Sequence, residues 1–394
     1  MRNKKAIPPP HPLFLIVGIL LIATNLRAPI TGVAPLLVLI RDTFSLGTLE
    51  VGALTTLPLL AFAAASPFGV LLAREYGLER SLFLALSLIA VGIVTRSLGP
   101  SWTLFLGSAV IGLGIAIANV LLPALLKRDF PERIAALTSA YALVAGIVAA
   151  IASSLVVPIA KMPSFGWNWA LASFLVLPLA AMLSWLPQLI DRSEPTAETA
   201  RPPHGGRIWH SALAWQVTVF FGLNSLIYYV VVTWLPAILT EAGYSQQAAG
   251  SLHGISQLAT ALPGFILAPL MRRLKDQRGI AVGMSLITAT SLLGLLLFPN
   301  MAVFWAALFG FGGGASFILA LSFVSLRAGN VRQAGALSGM AQSIGYILAA
   351  VAPPLLGMVH DFSGNWSAPL EICIALCLVL AAVGCFAGRS AHVR

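Results

Sequence analysis

Twelve apolar stretches dominate this 394-residue chain, each near the roughly 20 residues that a helix rising about 1.5 Å per residue needs to cross hydrocarbon. They run approximately over 13–40, 48–73, 81–99, 102–126, 135–160, 167–187, 211–239, 246–271, 279–298, 301–326, 333–358 and 367–388, and are numbered here as segments 1 to 12. Their length, and the lack of the alternation that tilted strands of about ten residues would show, exclude a spanning β-barrel. The expectation is an all-α membrane protein of twelve transmembrane helices. Composition agrees, since 58% of the residues are hydrophobic and 9% charged, whereas a soluble domain carries roughly 25% charged residues. The basic opening MRNKKAIPPPHP precedes an apolar run too long for a cleaved signal and without an evident cleavage site, so segment 1 is expected to be retained.

A formal net charge of +10 would suggest nucleic acid in a soluble protein, so the placement of the basic residues decides its meaning. With the N-terminus cytoplasmic, Arg41, Arg96 and Lys161 face outward, Arg27 alone lies within the bilayer, and the remaining 19 of the 23 basic residues face inward. That bias is a topology signal, with both termini cytoplasmic and no nucleic-acid partner. Clusters such as Lys127, Arg128 and Arg133, or Arg272, Arg273, Lys275 and Arg278, read as solvated faces that need no ligand.

One long polar segment, QLIDRSEPTAETARPPHGGRIWH, is rich in Pro, Gly and charge, as a flexible linker is. It divides the chain into a cytoplasmic tail (1–12), a six-helix bundle (13–187), a cytoplasmic linker (188–210), a second six-helix bundle (211–388) and a cytoplasmic tail (389–394). The halves share weak self-similarity at an offset near 200: Gly112 and Gly114 answer Gly312 and Gly314, Lys127 answers Arg327, and Pro35 answers Pro236. A pseudo-symmetric 6+6 bundle follows, with the halves rocking around a midplane site in alternating access. Glycines in GLGIA and GFGGGA are expected to let neighbouring helices approach closely. Pro35 and Pro236 are expected to bend or end segments 1 and 7 near their outer ends.

Arg27 is the residue that most needs explaining, because a cation at mid-bilayer costs about 2.5 to 3.5 kcal/mol on insertion scales. No Asp or Glu lies in the centre of any segment; Glu50, Glu241 and Glu371 fall at ends. In one reading Arg27 binds carbonyls exposed by a kink at Pro29 and holds segment 1 against a neighbour. In the other it offers a five-donor fork to an anionic or electron-rich substrate group. Polar residues four apart share a helix face, and Arg27 pairs with Thr31, Asn224 with Tyr228, His253 with Gln257 and Gln342 with Tyr346. With Asn119 these nine form the expected substrate site, a wet cavity lined by aromatics; interhelical bonding is the alternative for each of the others. The set is unequal between the halves, which suits a substrate with one polar and one flat apolar end. His253, the one histidine inside a segment, is the candidate for proton coupling, with packing as its alternative.

The loop ASPFGVLLAREYGLERSL resembles the signature of the major facilitator superfamily, with Gly77 and Arg80 in place. Aligned on Gly77, Arg74 stands where that family has its acidic residue and Glu75 where it has a base, so the charge pairing reads as reversed. LRAPITGVAPLL, LTTLPLLAFAAASP, NVLLPALLKRDFP, WLPAIL, GSLHGISQLATALPG and ALSGMAQSIGY resemble one branch, the cyanate and 2-nitroimidazole transporter (CynX/NimT) family, over nearly the whole chain. LAWQVTVFFGLNSLIYYVVVTWLPAIL and KDQRGIA look closer to its nitroimidazole-exporting than to its cyanate members. The resemblance implies a twelve-helix exporter of small heteroaromatic compounds in a bacterial inner membrane, without a cofactor and with Arg27 lining the pocket. Its partners would be a small molecule, membrane lipid and protons, and it would act as a monomer.

An enzyme is not expected: there is no phosphate-cradling Gly-Lys-Ser/Thr motif, no metal-spaced His or Cys cluster and no soluble domain large enough for a site. Cys373, Cys377 and Cys385 read as small apolar residues of segment 12. The rival of another class is a membrane sensor that binds the same ligand without passing it.

Overall fold

The computed structural model describes residues 12–130, 132–189, 206–274, 276–329 and 331–392. Most of the expected linker, both chain ends and Lys275 lie outside them, as do the side chains of Arg74, Lys127 and Arg272. Segment 1 forms α1 (Pro12–Thr24), α2 (Ala28–Thr31) and α3 (Leu37–Phe44), with a 3₁₀ turn over Ala34–Leu36 before α3. Segments 2 to 5 form α4 (Thr48–Tyr76), α5 (Leu78–Arg96), α6 (Ser101–Asp129) and α7 (Ile134–Ala160), and segment 6 forms α8 (Trp167–Ala172) and α9 (Val176–Trp185). The second half holds α10 (Ala212–Glu241), α11 (Gln246–Ala259), α12 (Pro263–Arg273), α13 (Arg278–Leu297), α14 (Ala302–Arg327), α15 (Val331–Ser363) and α16 (Ser367–Ala387).

Among the described residues, eleven helical stretches are long and apolar enough to cross a membrane. The twelfth expected span, segment 8, is divided into α11 and α12, neither long enough alone. Pro263 accounts for it: without an amide hydrogen it cannot continue the backbone hydrogen-bond ladder, although Leu262 before it keeps helical dihedrals. The chain turns through Thr260–Leu262 and restarts with the proline in the first turn of α12. Pro236 acts differently. Expected to bend or end segment 7, it lies inside α10, which continues to Glu241.

Segment 1 breaks between α1 and α2, where Pro29 again occupies the first helical turn. The break disturbs the backbone ladder, so the Val33 amide bonds to Ile30 O and leaves the Pro29 carbonyl free. Arg96 takes that carbonyl, donating from Nη1 at 2.6 Å while only 1% exposed. This corrects two sequence expectations: Arg96 does not face outward into solvent, and Arg27 is not the one cation buried in the bundle. A carbonyl without a helical donor in an apolar interior demands a partner, and a long side chain at the end of α5 reaches it.

Small residues set how closely the helices pack. A Cβ placed on Gly114 would lie 2.6 Å from the Ala85 carbonyl of α5, and one on Gly112 2.5 Å from Pro58 Cα of α4. In the second half, Gly310 and Gly314 of α14 meet the Ser256 and Thr260 carbonyls, at 2.1 and 2.3 Å from such a Cβ. These contacts put the backbone of α11, and the turn after it, directly against α14.

The halves meet through α4 with α15 and through α7 with α11. Call the side on which Pro12 lies the near side. Among the described residues, four hydrogen bonds cross from half to half: Thr48 to Asp361, Thr233 to Thr55 at 3.1 Å, Ser153 with His253 at 3.0 Å, and Arg27 to Thr260 at 2.5 Å. They run from the far ends of α4 and α15 to the break in segment 1, so the halves are held together from mid-depth to the far side. A far-side cavity of about 240 Å³ is lined by Arg41, Thr48, Trp234, Glu241, His360 and Trp366, among others.

The loop after α4 departs from the charge pattern read in the sequence. The carboxylate that pairs is Glu79, 8% exposed, held at 2.7 Å by Arg128 of α6, which also binds Asp129 at 2.6 Å. Glu75 and Arg80 are exposed instead. Gly77 sits at φ 86°, ψ 163°, a region essentially restricted to glycine. Gly77→Ala is therefore expected to cost about 1 to 3 kcal/mol, seen as a lower thermal midpoint of the purified protein. Gly339→Ala, where the added Cβ meets nothing within 4 Å, should leave that midpoint unchanged or raise it.

Candidate functional site

Two helix breaks face each other across the halves. Arg27 occupies the break between α1 and α2, where non-helical backbone (φ −128°) makes it the N-cap of α2. Thr260 occupies the break after α11. The Arg27 Nη1 donates to Thr260 Oγ1 at 2.5 Å, and Thr260 in turn donates to the Gln257 carbonyl at 2.7 Å. Arg27 remains partly exposed. It sits neither against lipid alone nor sealed in one bundle, but at the seam between the two.

The reading in which Arg27 satisfies carbonyls at the Pro29 kink does not match this geometry, because Arg96 occupies that carbonyl. A guanidinium has five N–H donors, and Thr260 takes one of them among the described residues. No Asp or Glu occurs in α2, α7, α11, α12 or α14 to neutralise it. The phenols of Tyr141, Tyr229 and Tyr346 lie within electrostatic reach of its charge instead.

A second chain of bonds begins one turn from Thr260. Tyr228 on α10 donates its hydroxyl proton to Gln257 Oε1 at 2.9 Å. The Gln257 amide nitrogen lies 3.4 Å from His253 Nε2, and His253 Nδ1 lies 3.0 Å from Ser153 Oγ on α7. His253 and Gln257 are both 0% exposed, whereas Tyr228 is partly exposed. The Tyr228 ring stands edge-on to Tyr229 with centroids 5.3 Å apart, and parallel to Phe309 at 6.4 Å.

Of the nine expected site residues, the structure thus joins Arg27, Tyr228, His253 and Gln257 into one region. Thr31 is adjacent but turned into the fold, buried and bonded to the Arg27 carbonyl at 3.2 Å. Tyr346 is placed at the seam by edge contacts to Phe62 of the other half at 5.5 Å and to Phe221 at 5.5 Å. Gln342 bonds within its own helix to Ser338, 2.8 Å away, so its pairing with Tyr346 is one of face and not of contact. Among the described residues, Asn224, 3% exposed, has no partner for its amide nitrogen, and Asn119, exposed on α6, has no bond to the others.

Ser153, Thr260, Tyr141 and Tyr229 were not expected at the site. Thr260 carried a signal, three residues after Gln257 and three before Pro263, where a helix break exposes a hydroxyl. Ser153 carried none, since serines are common in membrane helices and usually bond back to their own backbone.

A family model described as Major Facilitator Superfamily matches residues 13–353. The chain is 53% identical over 382 residues to the 2-nitroimidazole transporter of Escherichia coli (strain K12), an alignment covering 97% of each. It is 30% identical over 357 residues to the cyanate transport protein CynX of the same organism, covering 89% of this chain and 91% of that one. Among solved structures, a bacterial homolog of the human lysosomal transporter Spinster, inward-facing and unoccupied, matches with a TM-score of 0.75 at 15% identity, over 98% of both chains. At that identity the likeness is one of fold.

Proposed function

This chain belongs to the Major Facilitator Superfamily, and on that premise we propose that it is a secondary active transporter exporting 2-nitroimidazole-like heteroaromatic compounds in exchange for protons. Its two six-helix halves, 13–187 and 211–388, rock about the seam at Arg27, with 188–210 as the linker. The near side is cytoplasmic, in keeping with the excess of Lys and Arg there, so the contacts described above belong to an inward-facing state. The unit of function is the monomer, in a bacterial inner membrane.

One observation carries this reading: a partly exposed guanidinium at the seam of the halves, with no carboxylate on the helices around it. A nitro group spreads negative charge over two oxygens and suits the planar fork of Arg27. The imidazole ring would stack on Tyr228 or Tyr346, each such aromatic contact adding about 0.5 to 1.5 kcal/mol. Asn119, Asn224 and Gln342 are assigned to the inner path and Thr31 to supporting Arg27. The same uncompensated cation also favours a second reading, a small anion such as cyanate, and the relative at 30% identity bears a cyanate name.

Sealed vesicles holding the purified protein decide among these. Loaded in turn with 2-nitroimidazole, cyanate and small carboxylates, they are expected to move 2-nitroimidazole fastest, and faster still when protons flow the opposite way. Faster cyanate flux would select the second reading. Binding without flux of any compound would make the protein a sensor.

A further inference from the structure

An amide has one end that donates and one that accepts, and at Gln257 both ends are used. Tyr228 donates to Oε1, so the NH₂ group faces His253 Nε2. That ring nitrogen must then be the bare one, and Nδ1 carries the proton to Ser153 Oγ. The chain from Ser153 to Tyr228 closes only around a neutral imidazole.

A proton added at Nε2 would set N–H against N–H in a site where neither His253 nor Gln257 has any exposed surface. Unpaired buried donors are strongly disfavoured. Rotating the Gln257 amide by half a turn removes the conflict: Oε1 accepts from His253, and the NH₂ donates to the Tyr228 oxygen. Tyr228 then directs its own proton elsewhere. Of the three side chains it alone is partly exposed, so a proton bound in the dry seam is reported in the accessible space as a reversal of Tyr228 from acceptor to donor.

Among the described residues no carboxylate on the helices around the ring balances the added charge; the Val232 carbonyl of α10 also hydrogen-bonds the imidazole, but as a neutral acceptor. The helices packed on α11 are α7, α10, α14 and the turn before α3. Residues 134–160 and 302–326 contain no ionisable group but Tyr141, and α10 contributes Tyr228 and Tyr229, with Glu241 at its far end. Segment 1 contributes Arg27, which reaches the same Gln257 through Thr260, and Arg41 and Asp42 lie at its far end.

We propose that Gln257 is a proton-state inverter: protonation of His253 flips its amide and switches Tyr228 between accepting from, and donating to, the transported molecule. Resting on the nitroimidazole reading, this assigns Tyr228 to the ring N–H of a substrate whose electron-rich group lies on Arg27. Protonation then turns Tyr228 from a partner for that N–H into a partner for a bare ring nitrogen, so the proton state selects which form of the ring the carrier holds.

Ligand-free protein tests the inverter by itself. With tyrosine labelled at ¹³Cζ and histidine with ¹⁵N, and the signals assigned through Tyr228→Phe and His253→Gln, the Tyr228 resonance should titrate at the same midpoint as His253. Gln257→Glu, which adds a carboxylate, should raise that midpoint by about one pH unit or more, and Gln257→Leu should lower it and abolish the response of Tyr228. A Tyr228 resonance indifferent to His253, or a midpoint unmoved by both Gln257 variants, overturns the proposal. The ligand arm separates it from the substrate reading: 1-methyl-2-nitroimidazole, which presents only a bare ring nitrogen, should bind the wild type about tenfold more tightly once His253 is protonated, while 2-nitroimidazole, whose tautomers present either form, should change less and Tyr228→Phe should remove the dependence. An intact inverter in a protein that binds neither compound rejects the substrate and leaves the inverter standing.

Discussion

Arg27→Met should weaken binding of 2-nitroimidazole at least tenfold, about 1.4 kcal/mol, while the purified protein keeps its thermal midpoint. The fold has little to lose. Thr260, the hydroxyl that accepts from Arg27, also donates to the Gln257 carbonyl at 2.7 Å, so it is not stranded when the guanidinium goes. Methionine fills much of the same stem volume, and removing a cation from mid-bilayer relieves a cost of about 2.5 to 3.5 kcal/mol. What disappears is the set of donors that no protein group among the described residues claims. Arg27→Lys should fall between the two, since an ammonium keeps the charge without the planar fork. Calorimetric titration of the three proteins checks this, and an unchanged affinity in the methionine variant would assign Arg27 to holding the halves together.

Length and apolarity made the bundle legible because a backbone in lipid has to satisfy its own hydrogen bonds, and a long apolar run has helix as its open solution. Breaks within those runs were only half legible. Pro29 and Pro263 each mark where a helix restarts, but a proline does not say which group will take the carbonyl it frees. Pro236, chemically the same, leaves α10 continuous. Arg96 shows the limit best: by position it lies at the outer end of segment 3, and only the packing of α5 against segment 1 reveals that its side chain turns inward to Pro29.

At the site, helical periodicity found faces and missed partners. His253 and Gln257 do lie together, because residues four apart on one helix must. That Gln257 also meets Tyr228 depends on how α10 and α11 pack, which spacing along either helix does not encode. Gln342 and Tyr346 share a face in the same way, yet Gln342 bonds to Ser338 and Tyr346 packs among phenylalanines of both halves. Thr260 and Ser153, which make two of the bonds between the halves, look in sequence like any hydroxyl of a membrane helix.

Closure of the far side depends on backbone meeting backbone, and Gly254→Leu is expected to prevent it. At Gly254 a Cβ would lie 2.6 Å from the Ala150 carbonyl of α7, at Gly250 2.7 Å from that of Ser153, and at Gly52 2.6 Å from Pro354 Cα of α15. No rotamer change relieves such contacts, because the atoms in the way are main chain. A leucine at 254 must push α11 off α7 and part His253 from Ser153. The packing of α5 on α6, α10 on α15 and α13 on α16 does not involve this contact, so the protein should still fold, but a carrier that cannot close one side cannot complete its cycle. Vesicle flux of 2-nitroimidazole should therefore fall about a hundredfold or more, a loss set by the population of the closed state. Val51 is 1% exposed near the far end of α4, and it supplies the second readout. Replaced by cysteine in a background without Cys373, Cys377 and Cys385, it should react slowly with an impermeant maleimide when residue 254 is glycine and quickly when it is leucine. Full flux with unchanged labelling would mean that the α7 and α11 contact is incidental to transport, and that the seam carrying Arg27 and His253 does not need to close there.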